Sequence, residues 1–391
     1  MATAIRKSGL PHTDYYAPAF RVEIDGEQLA PRTNGDVLSI KVNMDMDNMT
    51  SFELSIANWV DAATPRTPET IDGFKHSDSS RFDLGRQVHI QMGYADRLVS
   101  MVTGQITSLA PRFPQSGPST LTVSGLDGMF RLKDRRPEDE EESKYTGMTD
   151  WEIAQIIAAR NGLAAKVTRE GEAHPEVIQK NQDYAQFLME RAKRIDFECY
   201  VQTDPQTQAA TLYFVRPSDG RGSDRVRNYA LRWGENLISF MPTVNMSEQV
   251  GQVTVRGWNP ATKQAIVATV GPDSLPASAD GGVSGPQASS QSQQKRDVTV
   301  DAPVNTEQEA FELARSLLAE RAYRFITATG QIIGQPNLRP GDNLTLAGLG
   351  SRFSGDYYVK KVEHSLDGSG YKTQFEVRRM YIGPSRGAVP A

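Results

Sequence analysis

The segment FSGDYYVKKVEHSLDGSGYKTQFEVRR, Phe353 to Arg379, gathers the residue types from which acid–base chemistry is built. His364 follows Glu363 directly, and Asp356, Asp367 and Tyr371 are close in sequence. An imidazole beside a carboxylate is a common means of moving a proton near neutral pH. The spacing argues against that use. Tyr371, Thr373, Phe375 and Val377 alternate with Lys372, Gln374, Glu376 and Arg378, which is the period of a strand with one face on a core. The preceding DYYVKKVEH puts Tyr357 and Val359 on one face and Tyr358, Val362 and His364 on the other, and LDGSG makes the turn. His364 is then expected on an outer face at a strand end, a poor position for a buried base.

The remaining candidates are weaker. The histidines are His12, His76, His89, His174 and His364; no two share a local metal-ligand spacing, and HExxH is absent. Each is read as a strand or surface histidine. Cys199 is the single cysteine, which excludes an internal disulfide and any multi-cysteine metal site. It sits in a hydrophobic strand without a histidine nearby, and no GxSxG elbow exists. Asp45-Met46-Asp47-Asn48 resembles the start of a calcium loop, but Ile56 stands where the bidentate glutamate is needed, so a β-turn is the better reading. GLGSRFSG, Gly348 to Gly355, lacks the Lys-Ser/Thr of a phosphate loop and the GxGxxG spacing; it reads as a hairpin loop that opens no helix. No catalytic, cofactor-binding or metal residue is assigned.

The elements that would position any site are mostly strands. A chain of 391 residues is long enough for two or three domains. FRVEIDG, VLSIKVNM, SFELSI and QVHIQMGY alternate at period two, and LVSMVTGQITSLAPRF and STLTVSGLDG follow. A polar, proline-containing loop is expected between Asp61 and Ser80. PEDEEE, Pro137 to Glu142, reads as a solvated connector. Capping boxes at Thr149/Glu152 and Thr306/Glu309 predict helices over WEIAQIIAARNGL and EAFELARSLLAERAYRF. The second helix has Phe311, Ala314, Leu317, Leu318 and Ala322 as its expected apolar stripe. DYAQFLMERAKRIDF predicts another helix, and FECYVQT with TLYFVRP a hairpin. Gly271 to Gln294 is rich in Gly, Pro, Ser, Ala and Gln, which predicts a flexible insertion.

The expected class is α+β, mainly β. The predicted organisation is a β-barrel domain over 1–134, an α/β middle domain over 135–227, a second barrel over 228–383 with an insertion at 271–297, and a disordered tail over 384–391. The formal charge of −5 gives no basic excess for nucleic acid. No apolar run approaches the roughly 18 residues of a membrane span, so no membrane insertion is expected. The first residues lack an apolar signal core, which predicts synthesis and assembly in the cytoplasm.

GQPNLRPGDNLTLAGLGSRFSGDYYVKKVEHSLDGSGYKTQFEVRR resembles the closing segment of phage late control protein D, the contractile-tail hub family related to the N-terminal part of VgrG. YAPAFRVEIDGEQL, FDLGRQVHIQMGY and LRWGENLISFMPTVNMSEQVGQVTVRGWNP are similar to the family's opening, first barrel and start of the second barrel. The resemblance implies two tail-tube-like barrels fused in one chain with an α/β elaboration between them. Three such chains would form a ring that adapts a six-fold inner tube to a three-fold spike. It implies a homotrimer that meets tube, spike and baseplate or LysM-type adaptor proteins, with a lumen for DNA or an effector, in a virion tail or injection particle. VgrG continues into an oligonucleotide-fold domain and a β-helix spike, whereas this sequence ends at Ala391; the expectation is a spike on a separate chain.

Two other classes compete with that reading. A lysozyme-like tail enzyme needs paired carboxylates in a cleft, and PEDEEE is the only dense carboxylate cluster. A receptor- or carbohydrate-binding module could use Trp59, Trp151, Trp233 and Trp258, which are expected instead in cores or barrel contacts. Candidate interface residues toward tube or neighbouring subunit are Met44, Met46 and Met49 in one turn, with Arg352, Phe353 and Tyr358. The methionines offer soft side chains able to accept non-identical partners; covering the barrel's end is their alternative role.

Overall fold

The computed structural model describes residues 2–4, 17–59, 74–95, 97–195, 197–204, 207, 209–216, 227–259, 262–276, 282–291, 297–304 and 306–383. The expected tail at 384–391, His12, and most of the predicted loop after Asp61 lie outside the described residues. The fold is α+β and mainly β, with two barrel-like units and an α/β unit between them.

Fourteen strands belong to one continuous sheet. The first unit contributes Pro18–Ile24, Val37–Asp45, Ser51–Ala57, Gln87–Tyr94, Arg97–Arg112 and Thr120–Asp127. Alternation is clean where pairing is regular: Thr120–Asp127 buries every second residue, Leu121, Val123, Gly125 and Asp127. Ile40, Phe52, Leu54, Ile90 and Val123 form the centre of the first core. The second unit contributes Asn228–Arg232, Leu237–Val244, Ile326–Ile333, Asn343–Ala347 and Gly370–Arg379 around a core of Leu231, Leu344, Tyr357, Val359 and Phe375.

The strand Gly355–Asp367 belongs to both units. Residues from Gly355 to Tyr358 pair with Asn343–Ala347, and residues from Lys361 to Leu366 pair with Val37–Asp45. Its other edge runs along Gly370–Arg379. The change of neighbour falls at a β-bulge: Val359 opposes Val377 and Lys361 opposes Glu376, so Lys360 is extra. One inserted residue reverses the side-chain parity of the strand. Tyr357 and Val359 therefore share their inward face with Val362 and His364, not with the residues at matching odd positions.

This corrects the expected position of His364, which is fully buried in mid-strand. It also corrects Tyr358, whose outward side chain is buried by this chain's own middle unit: its hydroxyl donates to Glu198 Oε1 at 2.9 Å. A second bulge, between Val37 and Ser39 on Val37–Asp45, leaves Leu38 48% exposed although alternation put it beside Ile40.

The middle unit has the expected parts. Thr149 and Glu152 form the capping box of helix Asp150–Arg160, and Asp183 caps Tyr184–Arg194. Glu198–Thr203 and Ala210–Val215 make the hairpin, with Ala164–Val167 added in parallel. Met129 and Leu132 also pack into this core, so its packing begins before residue 135. PEDEEE is a turn-rich surface segment, as expected, with Glu140 paired to Lys144.

Two parts of the 228–383 region differ from expectation. Gln252–Asn259, Gln264–Val270 and Asp297–Asp301 form a separate three-stranded sheet under helix Glu307–Tyr323, with their own core. Ala310, Ala314, Leu318 and Ala322 face that sheet, and Phe311 is 39% exposed. The small alanines let helix and sheet approach closely, and the stripe runs beside Phe311. Within 271–297, the described residues include helix Gly285–Gln291 with Gly285, Pro286 and Ser289 buried. Val283–Ser284 also pairs with Tyr381–Ile382. Small side chains make this packing possible: a Cβ on Gly285 would overlap Gln249 and Phe325.

Candidate functional site

The residues singled out in the closing hairpin form a buried joint. His364 Nε2 lies 3.1 Å from the Leu338 carbonyl oxygen, and Nδ1 meets the Tyr371 hydroxyl at 2.8 Å and Thr373 Oγ1 at 3.3 Å. Arg339 lies alongside and donates to the carbonyl oxygens of Pro336, Leu338 and Ser100. Tyr94 donates to the Gly334 carbonyl oxygen at 2.8 Å. Ser100 and Tyr94 belong to the first unit, so this polar cluster ties the two units together. Burial, then the charge of Arg339, pushes His364 down to about 3. The ring is a neutral structural member at ordinary pH.

His174 lies in a second cluster, under the N-termini of two helices. Asp150 and Glu309 stand in the first turns of Asp150–Arg160 and Glu307–Tyr323, where a carboxylate is favoured. His174 Nε2 is 3.1 Å from Asp150 Oδ2, and Nδ1 is 3.5 Å from Glu309 Oε1. Arg191 Nε donates to Asp150 Oδ1, and Arg194 lies 3.6 Å from Glu309. Burial disfavours the imidazolium, but the bonds to Asp150 and Glu309 outweigh it and lift His174 to about 9. Arg191 Nη2, 2.7 Å from Nε2, competes for that nitrogen only when the ring is neutral. The cluster holds the middle unit to helix Glu307–Tyr323.

Other polar groups are also tied to structure. His76 meets Asp36 at 3.0 Å, and His89 meets Glu23 and Ser100. Asp127, raised by burial to about 6, accepts from the amides of Thr50 and Met129. Burial pushes the Cys199 thiol up to about 12, which makes it a poor nucleophile. Among the described residues, no group of three His, Cys, Asp or Glu could hold a metal ion. None of the described helices is long and apolar enough to cross a membrane.

The interface candidates do not form one surface. Met44 is 5% exposed inside the first core, and Met49 packs on the middle core. Met46 lines a cleft. Arg352 is exposed and Phe353 half-buried, in a short helix, Gly350–Phe353, which the sequence reading did not place there. Gly348, Gly350 and Gly355 of that stretch have positive φ, which glycine adopts readily. Of the tryptophans expected in cores or barrel contacts, Trp151 packs on the middle core, while Trp59, Trp233 and Trp258 are 47%, 61% and 58% exposed and fill no core of this chain.

The cleft, missed in the sequence, has a volume of about 890 Å³. Its floor is the outer face of the second unit's sheet, through Thr327, Thr329 and Glu376. Helix Tyr184–Arg194 and helix Glu307–Tyr323 supply its walls through Met189 and Glu320. No local motif could reveal it, because its sides come from three separate regions of the chain.

Solved structures share this arrangement. The 43 kDa tail protein of prophage MuSo2 from Shewanella oneidensis matches with a TM-score of 0.67 at 15% identity, over 93% of this chain and 98% of that one. The tail protein from Neisseria meningitidis MC58 matches with a TM-score of 0.65 at 14% identity, over 93% and 97%. The E. coli c3393 protein is described as a component of the type VI secretion system with structural similarity to T4 bacteriophage tail proteins gp27 and gp5. It matches with a TM-score of 0.55 at 14% identity, over 94% and 80%. The fold is therefore that of tail proteins, two tube-like barrel units with an α/β unit between them. No curated protein sequence matches this chain. Residues 16–368 match the family model described as the Alg8 N-terminal domain, and the chain belongs to that family.

Proposed function

We propose that this chain is a non-enzymatic hub in the baseplate of a contractile phage tail or a phage-derived injection machine. The observation that carries this reading is the strand Gly355–Asp367, which joins two tube-like units into one continuous sheet. Three chains with two fused units each present six units to a six-fold tube, yet repeat only three times toward a spike. A rigid joint between the units serves that purpose, because the spacing of units around the ring must match the tube. A spike is held on the three-fold side, adaptor proteins of the baseplate bind the outside, and the lumen passes DNA or an effector. Assembly takes place in the cytoplasm. Met46, Arg352 and Phe353 remain proposed contacts to tube or neighbour.

The test is native mass measurement of the chain alone and after co-expression with its tube and spike proteins. The reading expects a trimer that captures both. A stable monomer that binds neither removes it.

A further inference from the structure

The cleft contains a cation, Arg378, that forms no ion pair among the described residues, although it acts on Asp47 through space. Arg378, on Gly370–Arg379, lies with its guanidinium carbon 4.2 Å from the ring centroid of Tyr323 and 5.1 Å from that of Tyr358. Glu190 and Glu198 of the lining accept from Gln182 and Tyr358, and other charges at the cleft form ion pairs. Lys360 meets Asp47 at 3.0 Å, Lys193 meets Glu320 at 3.1 Å, Arg324 meets Glu248 at 3.1 Å, and Lys361 meets Glu376 at 3.6 Å. Among the described residues no carboxylate pairs with Arg378, and its buried Nε has no hydrogen-bond partner. A guanidinium packed against aromatic rings keeps terminal Nη–H groups that can bind an oxyanion.

We infer that the cleft is a docking site for a partner polypeptide, and that Arg378 binds a carboxylate of that partner's acidic side chain. The rest of the lining selects this ligand. Five carboxylates and four cations line the cleft, so a polyanion such as a nucleic acid meets repulsion, while one carboxylate gains a single open cation. Met46, Met189, Met241 and Phe197 stand around the charged groups, and Met241 is 65% exposed. Methionine surfaces adapt to apolar side chains of varied shape. The occupant is thus an acidic residue flanked by apolar ones. A volume of about 890 Å³ lies within the range of ligand clefts. A guanidinium packed against the neighbouring rings of Tyr323 and Tyr358, whose centroids are 6.1 Å apart, loses little freedom on binding, and a carboxylate contact to it is among the stronger polar interactions.

The inference rests on the cleft alone, and a failure of the hub reading by mass measurement leaves it intact. It is tested by fluorescence anisotropy with a labelled hexapeptide carrying one glutamate between leucines. The same peptide with glutamine and an eight-residue oligothymidylate complete the set. Saturable binding of the glutamate peptide is expected. The glutamine peptide, or the Arg378→Gln protein, should bind about tenfold more weakly or worse. Met241→Asp, on the apolar side, should weaken binding as well, and Arg112→Gln, at an exposed site outside the cleft, should not. Thermal melting of each variant verifies the fold. Equal binding of the two peptides, unchanged binding by Arg378→Gln, no saturable binding, or competition by the oligonucleotide would each overturn the inference.

Discussion

The Tyr371 hydroxyl meets Nδ1 of His364 at 2.8 Å, inside the joint between the two barrel units. Nε2 of the same ring faces the Leu338 carbonyl oxygen, which can only accept, so Nε2 carries the proton and Nδ1 accepts from Tyr371. The neutral tautomer is thereby fixed from both sides. A proton on Nδ1 would break the bond to Tyr371 and add a charge beside Arg339.

That relationship makes the joint acid-sensitive. The folded-state value of His364, about 3, lies below its ordinary 6.5. Its contribution to stability is therefore whole above pH 6.5 and is lost as pH falls toward 3. The slope approaches about 1.4 kcal/mol per pH unit. Asp127 and Asp342, both raised by burial to about 6, act in the opposite sense as they protonate. The difference between wild type and His364→Gln isolates the histidine: the gap in urea-unfolding stability should narrow from pH 7 to pH 4. A constant gap would refute the assignment. Tyr371→Phe should cost about 1 kcal/mol at pH 7, the usual net worth of one hydrogen bond.

The His174 cluster has the reverse pH dependence. Its folded value of about 9 lies above 6.5, so its stabilisation is whole below pH 6.5 and fades as pH rises through 9. Stability measured at pH 7, 8, 9 and 10 should fall in wild type and fall less in His174→Gln. Asp150→Ala leaves Arg191 buried without its carboxylate and should cost about 3–5 kcal/mol. A loss under about 1 kcal/mol, the scale of a surface pair, would show that the cluster is not buried as described.

How much of this was legible in the sequence depended on local regularity. The alternation from Tyr371 to Val377 was readable because that strand pairs without a bulge over those residues. The caps at Thr149 and Thr306 were readable because a cap needs only four adjacent residues. His364 was misplaced because alternation cannot detect one extra residue, and that residue, Lys360, has no distinguishing chemistry. The pairing of His174 with Asp150 and Glu309 was invisible for another reason: its members come from separate elements brought together only by tertiary packing. The same holds for Tyr323 and Tyr358, whose rings both pack against Arg378.

Close packing at the joint gives a third prediction. Gly334 faces the Tyr371 ring, and a Cβ there would overlap the ring atoms. Tyr371 is pinned by His364 on one side and packs near Tyr94, at 5.6 Å between ring centroids. Gly334→Ala should therefore cost about 1–3 kcal/mol as overpacking. Gly26→Ala serves as comparison: nothing lies within 4 Å of its Cβ position, and its φ of 83° makes any loss there one of backbone strain. Chemical denaturation of the two variants, with Tyr371→Ala added to Gly334→Ala, separates the causes. The second substitution should recover part of the space at Gly334. An unchanged stability for Gly334→Ala alone would mean the ring moves aside freely.

The bulge at Lys360 supplies the sharpest test of how the two units are joined. Lys360→Ala removes only a half-exposed ion pair with Asp47, and its cost should stay under about 1 kcal/mol. The backbone matters more: the Lys360 carbonyl accepts from Met46 N, at the point where the strand leaves one unit and enters the other. Deleting Lys360 restores simple alternation through the strand. Either Tyr357 and Val359 or Val362 and His364 must then turn away from their cores, because one register cannot keep both sets inside. Burial of a large apolar side chain is worth about 1.5–3 kcal/mol, and several are displaced together. The deletion variant should lose cooperative thermal unfolding by circular dichroism, while Lys360→Ala melts close to wild type. If the deletion melts cooperatively within a few degrees of wild type, the bulge does not set the parity, and the account of His364 as a joint between units fails with it.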